Sequence, residues 1–406
     1  MATHDRMHAL DAVRGFALIA GVALHSALSF LPGFGELGIP LVDNSPSLTL
    51  ALIFFVIHMF RMTLFFVIAG FFGRMLLERD GLKAFVWNRV YRILLPLIVF
   101  WWIVFPPTLA ALMWGAQKLH PDRGLSLPEP PGGRTMLSFP LTHLWFLYVL
   151  IWLYAATLLI RWLLDRVLDR SGRRRAGMDG CLRWMLQGPQ ATVVLALPLC
   201  VSLSLFPEWL PWLGIPTPDR SLIPDRSALI GYSTAFAFGW MLERQKELIK
   251  VWEQRWGIHL AIAVVCTIAC LWLTGFAPQY TSIDDVWRRT AYAACYTVGI
   301  WGWTFGIFGI ALRTCSNTSP VRRYLADSSY WVYLMHIPLV FLLQVAVMDA
   351  PAHWTIKFPF VFGTSMLVLL LSYHWLVRAT WIGGWLNGRR IPRIALVTVA
   401  AHEQVA

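Results

Sequence analysis

Four histidines and two arginines stand inside otherwise apolar runs: Arg14 and His25 in LDAVRGFALIAGVALHS (10–26), His58 and Arg61 in FFVIHMFRMTLFFVIAGFFGR, His143 in LTHLWFLYVL and His336 in DSSYWVYLMHIP. An imidazole titrates near neutrality and can take a hydroxyl proton. A guanidinium can hold an anion or a developing oxyanion. Ionisable groups are costly inside a bilayer unless they face one another or a polar cavity. Packing histidines scattered among helices would not be expected to come with arginines at matching depths, so these six residues predict a functional cavity.

The elements that must position them are membrane helices. Hydrophobic residues make up 57% of the 406, charged residues 14%, and the mean hydropathy is +0.59, which excludes an ordinary soluble enzyme. The fold class expected is an all-α polytopic membrane protein. At roughly 20 apolar residues per span, about ten transmembrane helices are predicted, near 9–31, 48–73, 91–113, 140–163, 190–206, 227–242, 256–277, 286–312, 327–348 and 358–382. The expected organisation is a cytoplasmic segment 1–8, a transmembrane domain 9–382 and a cytoplasmic tail 383–406.

With both termini cytoplasmic, the cytoplasmic segments and their flanks collect 24 of the 34 basic residues, which sets the orientation by the positive-inside rule. The net charge of +12 reflects that bias, and no basic stretch carries the interleaved aromatics of a nucleic-acid surface. No short apolar run with a basic flank and a small-residue cleavage site opens the chain, so the first span is expected to be retained. The six cysteines show no zinc spacing or outer-face pairing, and Cys266 and Cys270 read as packing filler.

Helical geometry then relates the residues within each span. Arg14 and His25 are eleven apart, roughly 20° past three full turns, so they share one face about 16 Å apart along the axis. Asp11 lies one turn from Arg14 and is too far to pair with His25, so it orients Arg14. His58 and Arg61 are one turn apart near mid-membrane. His143 enters the fourth span from the outer side with Trp145 and Tyr148 beside it, and His336 lies about 14 Å into the ninth span. Arg89 and Arg92 share one face at the start of the third span. The positive-inside rule alone would account for that pair, but guanidinium forks also suit phosphate oxygens.

The stretch with Asp11, Arg14 and His25 resembles the Arg-x10-His signature, with an upstream Asp, of membrane-bound acyltransferase family 3. RVYR (89–92) is similar to that family's Arg-x-x-Arg motif, and SSYWVYLMHIP to its late Tyr-Leu-x-His span. HMFRMTLFFVIAGFF and HLWFLYVL look most like the glucan biosynthesis protein C branch, which contains glucan succinyltransferases. The resemblance runs from residue 10 to about 340.

It implies a multi-pass protein of the cytoplasmic (inner) membrane that needs no bound cofactor or metal and takes acyl-CoA, acetyl-CoA or succinyl-CoA, as donor substrate. The acceptor would be a hydroxyl of an extracytoplasmic glycan, with membrane lipid around the helices. His25 is then the candidate general base, with Arg14 and His336 as catalytic partners. His336, Tyr333 or Arg61 could stabilise the oxyanion. Arg89, Arg92 and Arg14, the last oriented by Asp11, would hold the donor, and His58, Arg61, His143, Trp145 and Tyr333 would line the substrate path. A transporter or flippase would also line a path with His and Arg, but the symmetric broken spans of that class are not seen.

Three further features have competing readings. Ser328 and Ser329 could contact the donor or cap the ninth helix, the cap being favoured. The loop at 115–139 could be a lid or a connection. Trp209 and Trp212, in the loop at 207–226, could stack sugar rings, but interfacial anchoring is favoured.

Overall fold

A computed structural model describes residues 3–123, 138–164, 173–186, 188 and 190–392. Within them all regular structure is helical apart from one isolated bridge between Ser138 and Ser221. The α-helices are α1 (Thr3–Ala27), α2 (Leu48–Arg89), α3 (Leu95–Leu119), α4 (Trp145–Leu163), α5 (Arg173–Leu186), α6 (Gln190–Ser204), α7 (Arg226–Leu242), α8 (Ile249–Thr274), α9 (Val286–Thr314), α10 (Pro320–Val347), α11 (Trp354–Ser372) and α12 (Trp381–Asn387).

Seven helical stretches are long and apolar enough to cross a membrane. Two of them, of 72 and 49 residues, each contain two of the predicted spans, because α2 breaks at Gly81 and α7 breaks from α8 at Gln245. The fifth predicted span falls on α6, which is long and apolar enough only together with the helix before it, from which it is bent by 110°; counting that pair as one span brings the number up to eight. Residues 124–137 of the 115–139 loop and 393–406 of the tail lie outside the described residues.

Helices as apolar as these have no strong hydrophobic preference for one another over lipid, so close backbone approach decides which pairs dock. Gly70 of α2 and Gly239 of α7 are reciprocal: a Cβ on the first would strike the Phe236 carbonyl, and one on the second the Val67 carbonyl. Gly302, Gly306 and Gly309 let α9 lie against α8 at His259, Leu260 and Trp252 in the same way.

A π-helical turn, Val90–Leu94, joins α2 to α3, and a second, Tyr373–Val377, ends α11. The N-terminal half of α1 and the short α12 meet at one end of the bundle: Arg14 Nη2 donates to the Ala326 carbonyl at 2.7 Å, and Asn387 Nδ2 to that of Asp327 at 3.0 Å. Both ends of the described chain therefore sit on the same side.

Two local expectations are corrected. The helix carrying His336 begins at Pro320, capped by Ser319, so Ser328 and Ser329 are interior residues whose hydroxyls bond the Leu325 and Ala326 carbonyls. The earlier start puts His336 about 24 Å from the beginning of its helix. Trp209 and Trp212 are each 1% exposed, so they fold inward and do not anchor at the interface. Trp209 donates to the Gly214 carbonyl at 2.7 Å and packs on Tyr292 and Tyr296, and Trp212 packs on Phe55.

Candidate active site

One continuous cavity of about 1890 Å³ runs through the bundle. Every residue expected from the sequence to act in catalysis or substrate binding lines it except Asp11, whereas Tyr148, Ser328 and Trp212 do not; Asp11 pairs with Arg14 at 3.5 Å, as the helical spacing predicted. Arg14, Arg89, Arg92 and Asp327 mark one end, and Leu41, Thr217 and Arg220 the other.

Three imidazoles from three helices meet within the cavity. The His25 and His336 ring centres are 5.2 Å apart, and those of His336 and His143 are 5.0 Å apart. Proline explains part of this arrangement. Pro338 has no N–H, so the carbonyl four residues earlier, that of Leu334, lacks its helical donor. His143 Nε2 takes that place at 3.1 Å. His336 Nδ1 lies 2.7 Å from the Tyr333 carbonyl. Carbonyls only accept, so both of these nitrogens carry hydrogen, leaving His336 Nε2 and His143 Nδ1 as lone-pair sites.

Backbone strain and a buried amide hold the histidines in place. Thr142, directly before His143, has φ of 51°, a left-handed conformation costing about 1–3 kcal/mol in a non-glycine residue. Gln344, fully buried on α10, donates to the carbonyls of His25 at 3.0 Å and Ser26 at 3.1 Å, tying the end of α1 to α10. Gln344 was not singled out from the sequence, although an amide eight residues after His336 in an apolar helix was a legible signal, as was Pro338.

Arg61 leans on Gly21, with a long contact of 3.5 Å to its carbonyl, and forms no ion pair among the described residues. The Nδ1 atoms of His25, His58 and His143 and the Nε of Arg61 are buried without a hydrogen-bond partner among the described residues. Buried polar atoms are paired as a rule, and all four of these residues line the cavity, so the lining suits a polar substrate. The Tyr333 hydroxyl donates to the His143 carbonyl at 2.8 Å, and Trp145 stacks on Tyr232. Tyr232 also lines the cavity and was not identified beforehand.

At the arginine end, Arg89 is held by Tyr154 at 3.0 Å and Asn88 at 2.9 Å and lies over the Tyr154 ring. Arg92 forms no side-chain hydrogen bond or ion pair among the described residues. At the opposite end Asp219 lines the mouth, and burial raises its carboxyl above the usual range against the pull of Arg220.

Gly214 closes this site from the 205–225 loop with φ of 64°, where an added Cβ would strike the Tyr296 hydroxyl and lie 2.9 Å from His58 Nδ1. Gly214→Ala is expected to cost about 1–3 kcal/mol, read as a lower melting temperature of the detergent-solubilised protein. An unchanged melting temperature would mean that the loop yields freely.

Membrane-length helices around a deep cavity lined with imidazoles and guanidiniums define an integral membrane protein built to handle a polar substrate. The chain belongs to acyltransferase family 3, whose acyltransferase domain matches residues 7–374. It is thus a multi-pass membrane acyltransferase, and its reaction requires an acyl donor. It is 32% identical over 346 residues to the glucans biosynthesis protein C of Shigella dysenteriae serotype 1 and to that of Escherichia coli O9:H4, and 23% identical to that of Escherichia coli O139:H28. Each match covers 82% of this chain and 82% of the relative. No solved structure matches the chain significantly.

Proposed function

We propose that this protein is an O-acyltransferase of the cytoplasmic membrane that moves an acetyl or succinyl group from cytoplasmic acyl-CoA to a hydroxyl of an extracytoplasmic glycan. The observation that carries this reading is the cluster of His25, His336 and His143 beside Arg61, in the same cavity whose far end holds Arg14, Arg89 and Arg92. Both ends of the described chain lie on the arginine side, and the positive-inside bias supports a cytoplasmic position for that side and for segments 1–8 and 383–406. The membrane domain is then 9–382. The glucans biosynthesis proteins among the relatives favour a glucan as acceptor.

In the mechanism proposed, the phosphates of CoA stay at the cytoplasmic mouth with Arg14, Arg89 and Arg92, since they cannot enter hydrocarbon cheaply. The pantetheine arm carries the thioester inward. The acceptor hydroxyl attacks the thioester carbonyl as His25 takes its proton, forming the C–O bond and a tetrahedral oxyanion. Collapse breaks the C–S bond, and the CoA thiolate leaves with the proton returned from His25.

Of the three oxyanion donors considered, the hydrogen bonds favour Arg61. The Tyr333 hydroxyl is committed to His143 and the Nδ1 hydrogen of His336 to a carbonyl, whereas Arg61 has N–H groups to give. His336 then orients His25, and His58, His143 and Trp145 shape the acceptor path.

The test is transfer of label from acetyl-CoA and succinyl-CoA to cell-envelope glycans by membranes containing the protein. Label in glycan, with an equal amount of free CoA, is expected from one of the two donors. Label recovered only as unmodified donor carried across the membrane would replace this reading with transport.

A further inference from the structure

The family match ends at residue 374, yet the chain that follows returns to the arginine mouth of the cavity. Helix α12 docks on the π-helical turn between α2 and α3: Trp385 Nε1 donates to the Tyr91 carbonyl at 2.7 Å, and the Trp385 ring packs on Phe100. Asn387 bonds both the Asp327 carbonyl and the Tyr373 hydroxyl. Gly388 ends the helix with φ of 76°, and an added Cβ there would overlap the Arg92 guanidinium. The Arg92 guanidinium therefore lies directly against Gly388. Arg389 follows, lining the same cavity, and approaches Asp327 to 3.9 Å while remaining 57% exposed.

We propose that Gly388 and Arg389 belong to the donor site: Gly388 sets the position of the Arg92 guanidinium, and Arg389 adds a further cation for the phosphates of a nucleotide-bearing thioester. This rests on the acyl-CoA reading above. Arg89 at the end of α2 and Arg92 on the π-turn would repel each other and drift apart if nothing held them. Arg89 is held by Tyr154 and Asn88, and α12 supplies the wall for Arg92. The contact of Arg389 with Asp327 is long and exposed, so it is weak and easily exchanged for phosphate. Gly388 is thus a positioning residue and Arg389 a binding residue, and neither reaches the histidines where acyl transfer takes place.

The experiment compares two probes on the solubilised full-length chain: acetyl-CoA, and S-acetylpantetheine, which has the same arm without the nucleotide phosphates. Arg389→Gln is expected to weaken acetyl-CoA binding about fivefold and Gly388→Ala about tenfold, both leaving S-acetylpantetheine unchanged. Arg389→Lys should recover most of the loss. In turnover the Arg389→Gln loss should appear in the KM for acetyl-CoA and leave kcat unaltered.

Wild-type protein that binds acetyl-CoA, with Arg389→Gln matching it, would overturn the role of Arg389 alone. Equal losses for both probes in Gly388→Ala would mean a general distortion and overturn the positioning role. Failure of the wild type to bind either acetyl-CoA or succinyl-CoA would overturn the donor reading itself, and this inference with it.

Discussion

Membranes carrying His25→Ala are expected to transfer acyl label to glycan at a rate lower than wild type by a factor of about 10²–10⁴, the usual worth of a positioned general base. The acceptor hydroxyl is a poor nucleophile until its proton leaves, and His25 is the imidazole at the turn where α1 ends, in ring contact with His336. His336 keeps a lone pair on Nε2, but its Nδ1 hydrogen bond to the Tyr333 carbonyl fixes the ring within its own helix, so it does not swing into the position that His25 holds. Binding of acetyl-CoA should be nearly unchanged, since Arg14 lies eleven residues away at the arginine mouth.

The informative measurements are therefore label transfer at saturating donor and acetyl-CoA binding on the same preparation. Loss of transfer with retained binding is the expected pair of results. Transfer at the wild-type rate would remove His25 as the base and move attention to His336 Nε2 or His143 Nδ1.

Lys357→Met should destabilise the protein by about 3–5 kcal/mol, because it strands a buried carboxylate. Lys357 opens α11 with its side chain 2% exposed and bonds both Asp43 oxygens, at 3.0 and 3.2 Å, along with Asn44 and the Met348 carbonyl. The Asp43 side chain is fully buried in this contact. The pair clamps the loop between α1 and α2 to α11, so its loss should show as a lower melting temperature in detergent. Asp43→Asn combined with Lys357→Met should recover much of it, since the stranded charge is then gone.

The pH dependence has a definite sign. Burial raises the Asp43 carboxyl, and the Lys357 hydrogen bond opposes that rise. Without the lysine the folded state holds a proton on Asp43 more tightly than the unfolded state does. The Lys357→Met protein should therefore gain stability relative to wild type as pH falls from about 7 toward 4. A deficit that grows on acidification would show that Asp43 is not the stranded group.

Relations within one helix were legible from the chain alone. A polar residue in an apolar run identifies itself by cost, and 3.6-residue periodicity fixes which side chains share a face. That is why the pairing of Asp11 with Arg14, and the separation of both from His25, hold in the structure. The composition determined the all-helical membrane class for the same reason: nothing but spanning helices suits so apolar a chain without barrel-like alternation.

Relations between helices were decided only by tertiary packing. These helices are apolar on nearly every side, so periodicity does not say which face meets lipid and which meets a neighbour. Backbone approach at Gly70 and Gly239, and at Gly302, Gly306 and Gly309, sets that choice. The meeting of His25, His143 and His336 depends on such registers, on the carbonyl freed by Pro338 and on the Gln344 tie. The inward fold of Trp209 and Trp212, and the return of α12 to Arg92, are likewise long-range contacts. The sequence determined the types of group available and their spacing along each helix; packing of distant segments decided which of them share a site, because no local period encodes the depth at which two helices meet.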